Sequence, residues 1–320
     1  MDDFTIIRLT AASTYRASAP CAVAIGNFDG VHQGHRAVLG AMVAHARAHG
    51  QIPSVLTFLP HPRYHFAPHT PPFLLQHYRD RWQYLREAGV QRIYIAKFNA
   101  AMASMGAQAF CDNVLFGMCG AKSVFTGENF VFGAARSGNI ATLQALGDQA
   151  GVHVQALEGV MAAGHVCSST GIRHALEQAD VARAAVMLGR LYSISGRVIH
   201  GDGRGRTIGV PTANILPHIH QMLPALGVYA VQVKLPGGTV RGGVANIGVR
   251  PTFGGDARPR LEVHLLDHHA DLYGARIEVR LIAPIRPEQR FDGLEALKTQ
   301  IAQDIATARR ILTLQEGPAA

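Results

Sequence analysis

Tryptophan occurs once in the 320 residues, and cysteine and lysine four times each. Each shortage excludes something. Cys21, Cys111, Cys119 and Cys167 are scattered without the spacing of a zinc site or a disulfide scaffold. They are expected to be reduced and buried, as in a cytoplasmic protein. No apolar run approaches the roughly 18–20 residues of a membrane helix. The start, Met1-Asp2-Asp3-Phe4-Thr5, is acidic and lacks an apolar signal core, so neither export nor a membrane partner is expected. Basic runs are missing too. The net charge of +8 is spread as +3 over residues 1–184 and +5 over 185–320, with no block of the kind that grips a nucleic-acid backbone. A diffuse positive field suits small polyanions such as nucleotides, although a solvated arginine surface accounts for most of it. Internal repeats and low-complexity segments are absent.

What is present is enough apolar residue, 48%, to bury two cores of ordinary size. Short β-branched or aromatic runs over Ala22–Ile25, Ser54–Phe58, Arg92–Ala96, Ser123–Thr126 and Val152–Leu157 predict strands. They alternate with helical patterns over Arg36–His49, Arg79–Ala88, Ala107–Leu115 and Ile140–Ala150, and Trp82, Leu85 and Arg86 share a face. This alternation predicts an α/β domain with a parallel sheet covered on both faces, its ligands beyond the carboxyl ends of the strands. A helix over Ile172–Leu188 closes that half. Strand signals then follow one another at Ser193–His200, Val228–Lys234, Thr239–Asn246, Arg260–Leu266 and Ile277–Ile285, with a tight connection at Pro236-Gly237-Gly238. One helix, Gly293–Leu312, follows. Successive antiparallel strands with one helix predict a small barrel. Two domains are expected, 1–184 and 185–320.

The first constellation follows the first of these strands: Gly26-Asn27-Phe28-Asp29-Gly30-Val31-His32-Gln33-Gly34-His35, then a helix. Glycines let a phosphate approach the backbone, and the helix N-terminus favours an anion. His32 and His35, three apart, share one face of the first turn and can donate hydrogen bonds to a triphosphate. Either histidine alone would more often be a surface or capping residue. The second constellation is Gly201-Asp202-Gly203-Arg204-Gly205-Arg206-Thr207-Ile208-Gly209-Val210-Pro211-Thr212-Ala213-Asn214. Gly201-x-Gly203 is no dinucleotide fingerprint, because no helix follows it. A Walker sequence is also absent; Gly120-Ala121-Lys122-Ser123 is a near miss that runs into a strand. There remains a Gly/Arg loop whose N–H groups and arginines can wrap phosphates. Beside it, Thr212 and Asn214 offer hard oxygens suited to Mg²⁺. Such a loop alone is more often just a mobile surface segment. Alternation of Leu261, Val263 and Leu265 turns Glu262 and His264 to the opposite strand face, where a carboxylate can act as a general base or merely be solvated.

These strings, in order, resemble the bacterial bifunctional riboflavin kinase/FMN adenylyltransferase (FAD synthetase) family over roughly residues 15–312. The Phe-Asp-Gly string is similar to the ATP-binding motif of nucleotidyltransferases. Thr57–Pro62, containing His61, agrees as well, as do Gly127–Gly133 continuing to Arg136-Ser137-Gly138, and Ser168–Arg173. The stretch from Gly196 to Asn214 resembles the riboflavin kinase signature, followed by Ala245–Phe253, Leu261–Leu266 and Asp271–Gly274. The resemblance implies an α/β nucleotidyltransferase domain followed by a six-stranded antiparallel Greek-key barrel with a C-terminal helix. It implies catalytic roles for His32, His35 and Glu262. For the first site it implies nucleotide contacts by Gly26, Phe28, Asp29, Gly30, Gly34, Asn129, Ser169, Thr170 and Arg173. For the second it implies contacts by Gly201, Gly203, Arg204, Gly205, Arg206, Gly209, Pro211, Arg250 and Arg286, with Thr212 and Asn214 holding Mg-ATP. Val131 stands where many members have Arg. Substrates and products would be riboflavin, FMN, FAD, ATP, ADP and pyrophosphate, handled by a monomer or weak oligomer. Two other readings compete. One is a nucleotidyltransferase for another acceptor, with an accessory barrel; the intact Pro-Thr-Ala-Asn and Glu262 weigh against it. The other is a non-enzymatic flavin-binding regulator; the histidine pair and Glu262 weigh against that.

Overall fold

The apolar runs of the first half form six strands: β1 (Thr5–Leu9), β2 (Cys21–Ile25), β3 (Ile52–Leu59), β4 (Arg92–Lys97), β5 (Ala121–Gly127) and β6 (His153–Leu157). The computed structural model describes residues 4–201, 205, 208–249, 260–268 and 270–316. The six strands lie in the order β1-β4-β3-β2-β5-β6, and every neighbouring pair is parallel. β2 is apolar on both faces because both are covered. Cys21, Val23 and Ile25 enter one core with Val114, Leu115 and Leu143, while Ala22 and Ala24 enter the other with Leu39, Met42, Trp82 and Leu85. This is the pattern of a parallel sheet buried on two sides. From β2 the chain steps through β3 to β4 in one direction; β5 and β6 lie in the other. The order therefore reverses between β2 and β5, and sheets of this kind bind ligands beyond the carboxyl ends of the strands at such a switch point.

In this half, sequence expectations and structure differ at five places. β1 is an added edge strand. A small hairpin, β7 (Met161–Ala162) and β8 (His165–Val166), intervenes before Ser168. The helix expected over Ile172–Leu188 is two, Ser169–Glu177 and Val181–Leu188. Ala179 turns the chain at φ 58°, and the Asp180 carboxylate accepts the Arg183 N–H at 2.9 Å to cap the second helix. The helix expected from Ala107 is α only to Ala109 and continues as wider π turns over Phe110–Met118. Arg86 is exposed, and Arg81 takes the buried place beside Trp82 and Leu85 in the helix Tyr78–Glu87.

The second half forms β9 (Ser193–Ile199), β10 (Ala213–Leu216), β11 (Gly227–Lys234), β12 (Val240–Gly248), β13 (Arg260–Leu265) and β14 (Arg276–Pro287), closed as a barrel in the order β10-β13-β12-β11-β14-β9. All its pairings are antiparallel. Strands β11 to β13 follow one another as neighbours and β14 returns beside β11, which makes a Greek key. The helix Leu294–Glu316 packs Ala308 and Leu312 against Ala230, Leu266 and Ile282. β10, four residues long, was not expected.

The chain divides into two compact units, Met1–Pro71 with Tyr78–Ser168, and Pro72–His77 with Ser169–Ala320. The excursion Pro72–His77 belongs to the second unit because its backbone is bonded there. The Leu74 N–H donates to the His220 carbonyl and the Met222 N–H to the Leu74 carbonyl, both at 2.9 Å. All four cysteines are free and buried. Burial pushes the Cys111 thiol up to about 12 and raises those of Cys119 and Cys167. Those three are not prepared as nucleophiles.

Candidate active sites

In the first unit, β2 delivers the chain to the switch point. There it bends sharply, with φ of 49° at Phe28, 93° at Gly30 and 40° at Val31. Phe28, Asp29 and Val31 are all buried. The Phe28 ring lies 5.2 Å from the His35 ring and against Gly26, where an added Cβ would meet it at 3.4 Å. His32 caps the helix Gln33–Ala48: its Nδ1 accepts the His35 backbone N–H at 3.3 Å. In the neutral ring this places the proton on Nε2, which makes that edge a donor. The His32 and His35 rings stack with centroids 3.6 Å apart. Gly34 admits the close approach. A Cβ there would lie 3.0 Å from the Cys167 carbonyl and 3.2 Å from the His32 ring.

The loop after β5 emerges beside this one, because β5 pairs with β2. It carries Asn129, which is exposed, and whose amide lies 3.5 Å from Glu128 Oε1; that oxygen also accepts the Gly159 N–H at 3.1 Å. Val131 is exposed, while Phe130 and Phe132 stack at 5.5 Å. Gly138 packs under Phe132, and a Cβ there would strike the ring at 2.7 Å. His61 caps a short helix, Pro62–Phe66, through Nδ1 and the Arg63 N–H at 3.1 Å. Ser169, Thr170 and Arg173 fall on the helix Ser169–Glu177, grouped with the second unit. There the Arg173 Nε donates to the Phe73 carbonyl at 2.8 Å, and its guanidinium lies 5.1 Å from the Phe73 ring. Pattern reading missed Arg81, whose fork donates to the Asn27 carbonyl at 2.9 Å and meets Asp29 Oδ1 at 3.4 Å.

In the second unit, Glu262 of β13 stands in register with Asn214 of β10 on one side and Asn246 of β12 on the other. The three side chains form a row across three strands. Leu261, Val263 and Leu265 are buried, so Glu262 and His264 occupy the other face. His264 Nδ1 donates to the Pro211 carbonyl at 2.8 Å and so ties the Pro211-Thr212 turn to β13. A Cβ at Gly201 would strike the Asn214 amide, so only glycine fits at that position. Gly205 accepts the Val210 N–H at 2.8 Å, and Gly209 turns at φ 79°. Gly203, Arg204, Arg206 and Arg250, and Asp202 with them, lie outside the described residues.

Two cavities lie here, one of them against this row. One, about 270 Å³, is walled by Val228, Val244, Phe291, Leu297, Ile301 and Ile305, with Glu262, Asn246 and Thr212 at its polar side. The other, about 470 Å³, is lined by Val198, Pro211, Thr212, His268, Asp271 and Tyr273 among others. Thr212 lines both. Asn214 Oδ1 is buried with no hydrogen-bond partner, and a buried acceptor without a donor is what a hard cation satisfies. Among the described residues no cluster of three His, Cys, Asp or Glu side chains could hold a metal. Arg286 is locked by Asp304, Nη2 to Oδ2 at 2.9 Å and Nε to both oxygens at 3.1 Å, with its plane 5.4 Å from the Phe291 ring. Its charge is met within the protein. Asn246 was not singled out by sequence. Its strand register opposite Glu262 is the signal that finds it.

Comparison with known proteins agrees with both halves. Residues 15–171 match the family profile described as FAD synthetase, and residues 188–312 the profile described as riboflavin kinase. The bifunctional riboflavin kinase/FMN adenylyltransferase of Escherichia coli (strain K12) is 43% identical over 294 residues, 92% of this chain and 93% of its own. The protein of the same description from Bacillus subtilis (strain 168) is 36% identical over 296 residues, 91% and 92%. A crystal structure from Streptococcus pneumoniae, described as that of a macrolide-efflux protein, matches with a TM-score of 0.84 at 29% identity, covering 95% of this chain and 99% of that one. What it shares is the fold; among the described residues no helix is long and apolar enough to cross a membrane.

Proposed function

The chain belongs to the family of bifunctional riboflavin kinase/FMN adenylyltransferases, and from that membership we propose that it phosphorylates riboflavin to FMN and adenylylates FMN to FAD at two separate sites. Kinase chemistry belongs to residues 185–320 and adenylyl transfer to 1–184. That boundary falls in the stretch between the two family matches. The observation that carries the reading is the row Asn214–Glu262–Asn246 beside Thr212, in one unit, together with the stacked His32–His35 pair at a helix N-terminus, in the other. Free, buried cysteines and the use of ATP support a cytoplasmic setting.

In the kinase half the apolar cavity takes the flavin ring and the more polar one the nucleotide, so the transferred phosphoryl group passes by Thr212. Glu262 orients the riboflavin 5′-hydroxyl and accepts its proton. Thr212 and Asn214 supply oxygens to Mg²⁺, which when bound neutralises phosphate charge. His264 holds the turn that presents Thr212. In the other half the FMN phosphate, already ionised, attacks the α-phosphorus of ATP and pyrophosphate leaves. The His32 Nε2–H and the His35 ring stabilise the charge that develops on the transferring group and on the pyrophosphate. Gly26, Gly30 and Gly34 leave room for phosphates to approach the backbone. Asn129 holds nucleotide or flavin from the adjoining loop.

The test is by co-product. Kinase turnover is expected to release ADP, and adenylylation pyrophosphate, each in step with its flavin product. Chelation of divalent cations is expected to stop both, and added Mg²⁺ to restore both. Adenylylation of supplied FMN without any ADP formed from riboflavin would remove the kinase half of this reading.

A further inference from the structure

We propose that Arg81 is a positioning residue for adenylyl transfer, which holds the Gly26–Val31 loop from beneath and thereby sets where His32 and His35 stand. The proposal rests on the functional reading above. Arg81 and Asp29 are 1% and 2% exposed, so two charges have been taken out of water to meet one another. Burying such a pair is rarely the cheapest route to stability, because apolar residues of similar volume serve as well. What the guanidinium supplies is shape. One arm donates to the Asn27 carbonyl at 2.9 Å and another meets Asp29 Oδ1 at 3.4 Å, so a single planar fork grips the loop at two points. A lysine ammonium has no such fork.

The gripped segment needs holding. Phe28, Gly30 and Val31 all have positive φ, and for a bulky or β-branched residue this conformation persists only where the surroundings over-determine it. His32 is the next residue after Val31, and its cap on the His35 N–H carries the loop's position directly to the stacked pair. Arg81 itself sits on a rigid support: Trp82 and Leu85, the next residues of its helix face, are buried in the same core as Phe28 and Val31. Hydropathy pattern hides this role, because a charged residue occupies a core position for the sake of a partner 52 positions away.

The test uses the full chain with Arg81→Met and Arg81→Lys. Adenylyl transfer to added FMN is followed at a temperature where thermal unfolding shows each variant folded. With Arg81→Met, kcat is expected to fall about 10²-fold, as for a displacement of catalytic groups by about 1 Å, while KM for ATP and the kinase rate of the same preparation stay near the parent's. Arg81→Lys keeps the charge but not the fork, and is expected to recover about half of that loss on a logarithmic scale, leaving kcat about tenfold down. If Arg81→Met does not fold, the Lys variant alone decides. Parent-like kcat in Arg81→Lys together with parent-like kcat or no folding in Arg81→Met, or a loss shared equally by the kinase, would overturn the proposal. A parent chain that makes no FAD would overturn the functional reading itself. An active parent beside unaffected variants would overturn the Arg81 proposal alone.

Discussion

Replacing His32 and His35 together by alanine is expected to abolish FAD formation while riboflavin is still phosphorylated, so that FMN accumulates. In the proposed mechanism each ring is a preorganised donor at a helix N-terminus. Removing one such donor typically lowers a rate by on the order of 10²–10³, and two removed together bring adenylylation below ordinary detection. The kinase rate is expected to be unaffected, because Glu262, Thr212 and Asn214 lie in another compact unit with its own core. His32 also supports the fold. Its Nδ1 caps the helix, and loss of a cap costs about 1 kcal/mol of stability. His32→Asn separates the two roles, since asparagine is itself a strong cap. That variant is expected to unfold near the parent temperature and still to have lost adenylylation. Comparable loss of both activities in the double alanine variant would contradict independent sites.

Glu262→Gln is expected to lower riboflavin phosphorylation about 10²-fold, at the modest end of what a general base contributes. The lower figure is chosen because phosphoryl transfer passes through a loose transition state, in which removal of the nucleophile's proton lags and positioning dominates. Glutamine keeps the length and the hydrogen-bonding reach between Asn214 and Asn246, so folding and riboflavin binding should change little. The deficit should lie in kcat. Adenylylation of supplied FMN should be unchanged. A kinase rate within a few-fold of the parent's would make Glu262 a strand residue only. His264 would then be a candidate for its place, because donation from Nδ1 to the Pro211 carbonyl leaves Nε2 as the acceptor.

The sequence was readable wherever local pattern and tertiary environment agree. β2 through β6 and five barrel strands are short, apolar and β-branched, and each lies where its pattern puts it. The motifs after β2 and β5 were found as separate strings; the strand order 3-2-5, a purely tertiary fact, makes them neighbours. What was missed had weak or contrary local signals. β10 is four residues long and begins inside a Pro-Thr-Ala-Asn stretch that reads as a turn, with Ile215 its one buried side chain. β1 pairs only with β4, as an edge, and no motif follows it. The break between the two helices at Ala179 has neither glycine nor proline; Asp180 as a cap was its one signal. Arg81 and Asn246 belong to their sites through partners far off in sequence, which no periodicity reports.

The most direct measurement is a time course of the purified chain with riboflavin, ATP and Mg²⁺, the flavins being separated at each point. FMN is expected first, then FAD at its expense, with riboflavin exhausted. Riboflavin left unchanged, or FMN that accumulates and is never converted, would contradict a chain that carries both activities.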